Sequence, residues 1–129
     1  MRLILPDDLH TVWDEVRTGL VEVQKFSAED WFPEDIYMAI KGGNAALYVG
    51  YTGFLVMQLI PMYHGKRLHV WCAYSKGRPA LRVFLRFIKE TALSAGARKI
   101  TFLSPRDEWL SVSKRGGFKP TQTIFELEL

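Results

Sequence analysis

Three apolar runs in the middle of the chain, residues 45–50, 54–63 and 68–74, do most to limit what it can fold into. They are rich in β-branched and aromatic residues, and only Tyr51-Thr52-Gly53 and His64-Gly65-Lys66-Arg67 separate them. Separators this short and this polar read as hairpin turns, so the three strands are expected to be consecutive and antiparallel. Pro61 cannot donate to a strand ladder, so it marks either a bulge or the frayed end of its strand.

Both flanks of this meander carry helical periodicity. Residues 2–5 form a short β candidate stopped by Pro6. Asp7 and Asp8 then offer an N-cap and first-turn negative charge to a helix whose stripe is Leu9, Val12, Trp13, Val16, Leu20 and Val23. A second helix is expected from Pro33 through Ile36, Tyr37 and Ile40, ending at Gly42-Gly43. After the meander, residues 75–79 make a loop and Pro79 opens a helix to about Ser94. Its apolar face is Leu81, Phe84, Leu85, Ile88 and Ala92, while Arg78, Arg82, Arg86 and Lys89 line another. A strand over 99–103, a helix over 105–115 stopped by Gly116-Gly117, and a last strand over 121–129 complete the reading. The order is β-α-α-β-β-β-α-β-α-β: an α/β (α+β) chain, an antiparallel meander followed by a β-α-β crossover.

With 129 residues, 48% of them apolar and 24% charged, the chain is long enough for one real core, and a single domain over 1–129 is expected. One cysteine, Cys72, excludes an intramolecular disulfide and any disulfide-stapled class. No apolar stretch is long enough to cross a membrane, and the first residues run into acids too soon for a signal peptide. These features point to a cytoplasmic protein. The three histidines and one cysteine show no metal-ligand spacing, so no metal is expected.

Charge is unevenly distributed. Residues 1–63 carry a net −5, residues 64–119 a net +10, and residues 120–129 a net −2. A basic half of this kind suits an anionic ligand; two oppositely charged, solvated faces are the plain alternative. Within that half, Lys76, Gly77 and Arg78 precede a helix N-terminus with free N–H groups, and Arg82 follows one turn later. Such a loop can cradle a pyrophosphate, although Pro79 removes one backbone donor.

This order, with a basic glycine-containing loop between a central strand and a long helix, resembles the GNAT superfamily of acyl-CoA-dependent N-acetyltransferases. In that family a loop reading Arg/Gln, any, any, Gly, any, Gly or Ala holds the CoA pyrophosphate. Residues 70–81, VWCAYSKGRPAL, occupy its place here. Lys76 and Gly77 fit a common version of it, while Pro79 stands where a second glycine is usual and Leu81 where a small residue is usual. The family's second feature, a helix ending in Gly-Phe before the last strand, is matched by Arg115-Gly116-Gly117-Phe118. The resemblance implies acetyl-CoA as co-substrate and an amine of a small molecule or protein as acceptor. It implies cofactor contacts from Cys72, Ala73, Tyr74, Lys76, Gly77, Arg78, Ala80, Leu81 and Arg82, and an acceptor region over about residues 26–33, with Trp31 and Phe32 as wall residues.

The acid–base positions depart from the family pattern. Ser113 stands where many members place a tyrosine that protonates the CoA thiolate, and Arg106 or Asp107 lies where an asparagine is common. No acid occurs between Phe54 and Tyr74, where a glutamate base is often found. His64 and His69 are the meander's only groups titrating near neutrality, which makes His69 a candidate base, with Tyr74 and Ser113 as candidate acids. Cys72 reads as a small apolar strand residue.

Two further classes stay open. The sequence is also similar in look to small, loop-eroded GNAT-like proteins of tailed bacteriophages, which implies a non-catalytic structural or interaction component, in the virion or phage-encoded, that forms a homo-oligomer or larger assembly. A nucleic-acid module using the basic half is the third class, but no DNA- or RNA-binding motif is present.

Overall fold

The computed structural model describes residues 1–26, 29–103 and 116–129. Strand β1 (Arg2–Ile4) leads into a 3-10 turn (Pro6–Thr11) and helix α1 (Trp13–Gln24), followed by α2 (Pro33–Lys41). The meander is β2 (Ala46–Val49), β3 (Gly53–Met62) and β4 (Gly65–Ser75). Helix α3 (Ala80–Ser94) then crosses over to β5 (Lys99–Phe102). The five strands form one sheet in the order β1-β2-β3-β4-β5, antiparallel except for the parallel pair β4–β5. This is a mixed α+β architecture, with the meander and crossover expected from the sequence.

The sheet is covered on both faces. Alternation along β3 sends Phe54 and Val56 toward α1 and α2, where Val16, Leu20, Ile36 and Ile40 meet them. It sends Leu55 and Met57 to the opposite face, against Leu81, Phe84 and Ile88 of α3. That two-sided burial explains why residues 54–57 read as a continuous apolar run rather than an alternating one. The α3 stripe anticipated from the sequence is the one buried, apart from the half-exposed Leu85. Each fully buried aliphatic side chain stabilises the fold by about 1.5–3 kcal/mol relative to exposure.

Glycines set the closest approaches. Gly53 pairs with Ser75, and a Cβ there would lie 1.8 Å from the Tyr74 carbonyl oxygen. Gly19, inside α1, lets the helix pass over the aromatic end of the sheet: its Cβ would lie 2.5 Å from Phe54 Cε1 and 2.9 Å from Tyr74 Cδ1.

Four details differ from the sequence expectation. Asp7 and Asp8 cap nothing: the 3-10 turn intervenes, and neither it nor α1 has a side-chain cap. The β3–β4 turn is Tyr63-His64 alone, since Gly65 takes φ 114° and lets Lys66 and Arg67 join the ladder opposite Pro61 and Ile60. Of the two places offered for Pro61 it takes the strand end, one residue before the last of β3, and the bulge lies in β4: Cys72 pairs with Val56 and Val70 with Met57, leaving Trp71 as the extra residue. Residues 121–129 form no strand and lie exposed, because alternation makes a strand only where a neighbouring ladder accepts its backbone groups. The helix expected over 105–115 lies outside the described residues.

Candidate functional site

The site arises where β4 loses its neighbour. β5 pairs with β4 from Arg67–Lys99 to Val70–Phe102 and stops, whereas β4 continues to Ser75 along β3. Beyond Val70 one edge of β4 therefore has no described strand partner, and its N–H and C=O groups face outward. The bulge falls at this point. It turns both Trp71 and Cys72 toward the α1–α2 face, where both pack with that core. A cleft of about 370 Å³ opens here. Residues 70–75 form its floor, Phe102 and Leu103 one side, and Glu22, Val23, Phe26 and Glu29 the other, while Arg78, Pro79, Ala80 and Leu81 close one end.

That end presents backbone N–H groups and basic side chains. Lys76 N–H donates to Thr52 O at 2.9 Å, pinning the start of the loop to the neighbouring turn. Gly77 adopts φ 75°, and among the described residues no heavy atom beyond its chain neighbours lies within 4 Å of where a Cβ would sit, so the backbone there is open on that side. Pro79 is the N-cap of α3; no side chain caps the helix, and its first turn holds no acid. The first helical bond runs from Val83 N–H to Pro79 O, so the N–H groups of Ala80, Leu81 and Arg82 precede it and lie at the positive end of the dipole. Arg78 and Arg82 are exposed beside them.

The opposite wall carries a carboxylate that the strand sequence lacks. Burial pushes the Glu29 carboxyl above the ordinary value, while the Trp71 indole N–H donates to it and partly offsets that rise. The Trp31 indole also lies close enough to favour the charged form, although its buried Nε1 has no partner of hydrogen-bond geometry. Burial, then the Glu29 charge, pushes the Cys72 thiol far up, so it stays protonated and acts as packing. Burial and then the Arg67 charge lower the pKa of His69, whose Nδ1 lies 2.8 Å from Thr101 Oγ1.

Of the residues singled out from the sequence, Cys72, Ala73, Tyr74, Arg78, Ala80 and Leu81 share this cleft. Lys76 instead lines a smaller neighbouring cleft of about 200 Å³, which also contains Tyr74. Gly77 and Arg82 flank the helix start without lining either. His69 lies below the point where β4 and β5 part, outside both clefts. Trp31 is buried in the α1–α2 core and Phe32 points to solvent, so neither lines a described cleft. Ser113 lies outside the described residues. Phe118 packs edge-on against Phe102, ring centroids 5.1 Å apart, which brings the Gly-Phe pair to the end of β5. The sequence reading placed the acceptor region at about residues 26–33, of which Phe26 and Glu29 rather than Trp31 and Phe32 line the cleft, and it did not single out Glu22 or Trp71. Trp71 depends on a bulge and Glu29 on a loop, and neither leaves a periodic signal. Among the described residues no three His, Cys, Asp or Glu side chains gather as a metal site needs, and no helix is long and apolar enough to cross a membrane.

No family model matches the sequence, and no curated relative does. Solved structures do match in shape. An aminoglycoside N-acetyltransferase in complex with CoA superposes at a TM-score of 0.69 and 12% identity, over 99% of this chain and 92% of that one. A ribosomal-protein-alanine N-acetyltransferase from Brucella melitensis gives 0.68 at 11% identity, over 98% and 96%. A predicted acetyltransferase from Clostridium acetobutylicum, solved with acetyl-CoA, gives 0.67 at 14% identity, over 98% and 94%. The architecture is thus that of the acyl-CoA-dependent acetyltransferases. The chain has the GNAT fold over the 98–99% of its length that these structures match, as the resemblance of its loop and Gly-Phe pair implied.

Proposed function

We propose that this protein is an acetyl-CoA-dependent N-acetyltransferase acting on an amine. The observation that carries the reading is the parting of β4 from β5 beside an uncapped, basic helix start. The residues present fit the co-substrate. The N–H groups of Ala80, Leu81 and Arg82, with Arg78 and Lys76 nearby, would hold the pyrophosphate, and open Gly77 lets it approach. The edge of β4 beyond Val70, unpaired among the described residues, offers backbone donors and acceptors to an extended, amide-bearing arm, as a sheet edge does to an added strand. Bound there, acetyl-CoA supplies an activated acyl thioester. The backbone N–H groups near residues 72–74 would polarise its carbonyl, and the Tyr74 hydroxyl is the candidate proton donor to the departing sulfur. His69, tied to Thr101, takes no part in this reading.

Calorimetric titration with acetyl-CoA and CoA tests it. Saturable binding should weaken by at least about tenfold in an Arg78→Ala, Arg82→Ala double variant, the loss of about 1.5–3 kcal/mol expected for charge-assisted phosphate contacts. Absence of binding at millimolar ligand rejects the proposal.

A second reading, a non-catalytic interaction component, is favoured by one observation. Ile124, Phe125, Leu127 and Leu129 are each at least 73% exposed. Self-association lost on removing residues 121–129, without any CoA affinity, would support it.

A further inference from the structure

We propose that Arg67, His69 and Lys99 form an anion site for a dianionic phosphate group, on the face of the sheet opposite α3 and apart from the cleft. The site does not depend on the acyl-transfer reading.

The register sets two rows across β3, β4 and β5. Ile60, Arg67 and Lys99 are partners in one, and Gln58, His69 and Thr101 in the next. Their strand neighbours Leu68, Val70, Ile100 and Phe102 pack with the α3 core. Strand alternation therefore sends Arg67, His69, Lys99 and Thr101 to the other face. Partners on adjoining strands stand about 4.8 Å apart, so Arg67 and Lys99 carry their charges side by side.

Like charges directly opposed destabilise a ladder unless something neutralises them. β3, β4 and β5 contain no Asp or Glu, and no ion pair among the described residues takes up Arg67 or Lys99. The Arg67 Nε is buried and has no hydrogen-bond partner, a state that asks for an acceptor. His69 stands within electrostatic reach of Arg67. Thr101 Oγ1 engages its Nδ1 at 2.8 Å, while Nε2 has no partner among the described residues. Arg98 adds to the positive field at this end of the sheet. Its Nη1 donates to His64 O at 3.2 Å, and Gly65 makes room for it: a Cβ there would lie 2.8 Å from Arg98 Cδ.

Two fixed cations match a dianion, whereas a single carboxylate leaves one of them unbalanced. The guanidinium supplies a fork of N–H donors, Lys99 a compact charge and His69 a ring donor, a set suited to phosphate oxygens. Ile60, half-buried on the other side of Arg67, gives an organic body apolar ground. The site is separate from the start of α3. Arg67 lies eight residues before Ser75 in an extended strand, roughly 26 Å, too far for one phosphate group to serve both. Because the backbone of this half of β4 is laddered on both edges, only side chains are available to the ligand.

The test titrates inorganic phosphate, phenyl phosphate and benzoate into the full chain by calorimetry. Wild type is compared with Arg67→Gln, Lys99→Gln, a charge-matched control on α3, Lys89→Gln, and the Arg78→Ala, Arg82→Ala double variant. Saturable phosphate binding at millimolar concentration or below is expected. It should weaken at least about tenfold (about 1.4 kcal/mol) in Arg67→Gln and at least about threefold in Lys99→Gln. It should stay within about twofold of wild type in Lys89→Gln and in the double variant, and benzoate should bind at least about tenfold more weakly than phosphate. Tighter binding of phenyl phosphate than of inorganic phosphate identifies an organic phosphate as the ligand, and equal affinity identifies free phosphate; both support the site. No saturable phosphate binding, equal affinity in wild type and Lys99→Gln, equal losses in Lys89→Gln and Lys99→Gln, loss in the double variant alone, or benzoate binding as tight as phosphate overturns it. If Arg67→Gln does not fold, Lys99→Gln decides, because Lys99 is exposed and its replacement leaves the core untouched. Phosphate binding of this pattern in a protein without CoA affinity strikes the acyl-transfer reading alone.

Discussion

The two halves of β4 share a strand but not a job. From Arg67 to Val70 the strand is laddered on both edges, with Leu68 and Val70 buried against α3 and His69 held at Thr101. From residue 71 to 75 it keeps one ladder among the described residues, carries a bulge, and lines the cleft. What separates scaffold from site is whether a neighbouring strand consumes the backbone groups, and this is decided where β5 ends.

The strongest way to break that comparison is to damage the laddered half alone. Leu68→Ala should cost about 2–5 kcal/mol in urea denaturation, the range for truncating a buried aliphatic residue. Acetyl-CoA affinity of the folded fraction should stay within twofold; a parallel loss would mean that the halves are coupled. Next in size is Gly19→Ala, at the free half. Helix propensity alone would favour alanine by about 1 kcal/mol. The contact with the Phe54 and Tyr74 rings should reverse the sign, leaving a net loss of about 1–3 kcal/mol in thermal or urea unfolding. It should also shift Tyr74, so thiol release should fall more than CoA binding does.

A smaller effect concerns pH. His69 titrates below its ordinary 6.5 in the fold, so the unfolded chain takes the proton first as pH falls. The stability from keeping the ring neutral is full above about 6.5 and is lost as pH drops through the folded value. His69→Asn should flatten that acid limb of the melting temperature while leaving the free half intact. Glu29 has the opposite sign: its raised value contributes stability below its ordinary 4.5 that is lost as pH rises through the folded value. Glu29→Gln should therefore gain stability over wild type near neutrality, and an unchanged difference between pH 4 and 7 would contradict the burial assigned to it.

Much of this fold is legible in the residues. Helical stripes such as Leu81, Phe84, Ile88 and Ala92 and the strand runs of β2–β4 are local periodicities, and each appears where its spacing predicts. The basic helix start was legible too, since Lys76, Gly77, Arg78 and Pro79 are contiguous and their conformational roles are intrinsic to those residue types. The segment 121–129 shows the limit: alternation equal to that of a real strand leaves it unladdered and exposed. Asp7 and Asp8 show it again, because a capping residue caps only where the helix starts, and α1 starts at Trp13.

By itself, then, the sequence determined the element types over residues 13–102, the antiparallel meander, the crossover and the basic helix start, because these follow from side-chain period and from backbone preferences acting over a few residues. Only the tertiary structure decided that β4 outruns β5, that a bulge at Trp71 turns an indole into the cleft, and that Glu29 from a distant connection faces Cys72. Those features depend on register and on the packing of segments about forty residues apart. Pairing energies of that kind are summed across the whole sheet, and no local stretch of sequence carries them.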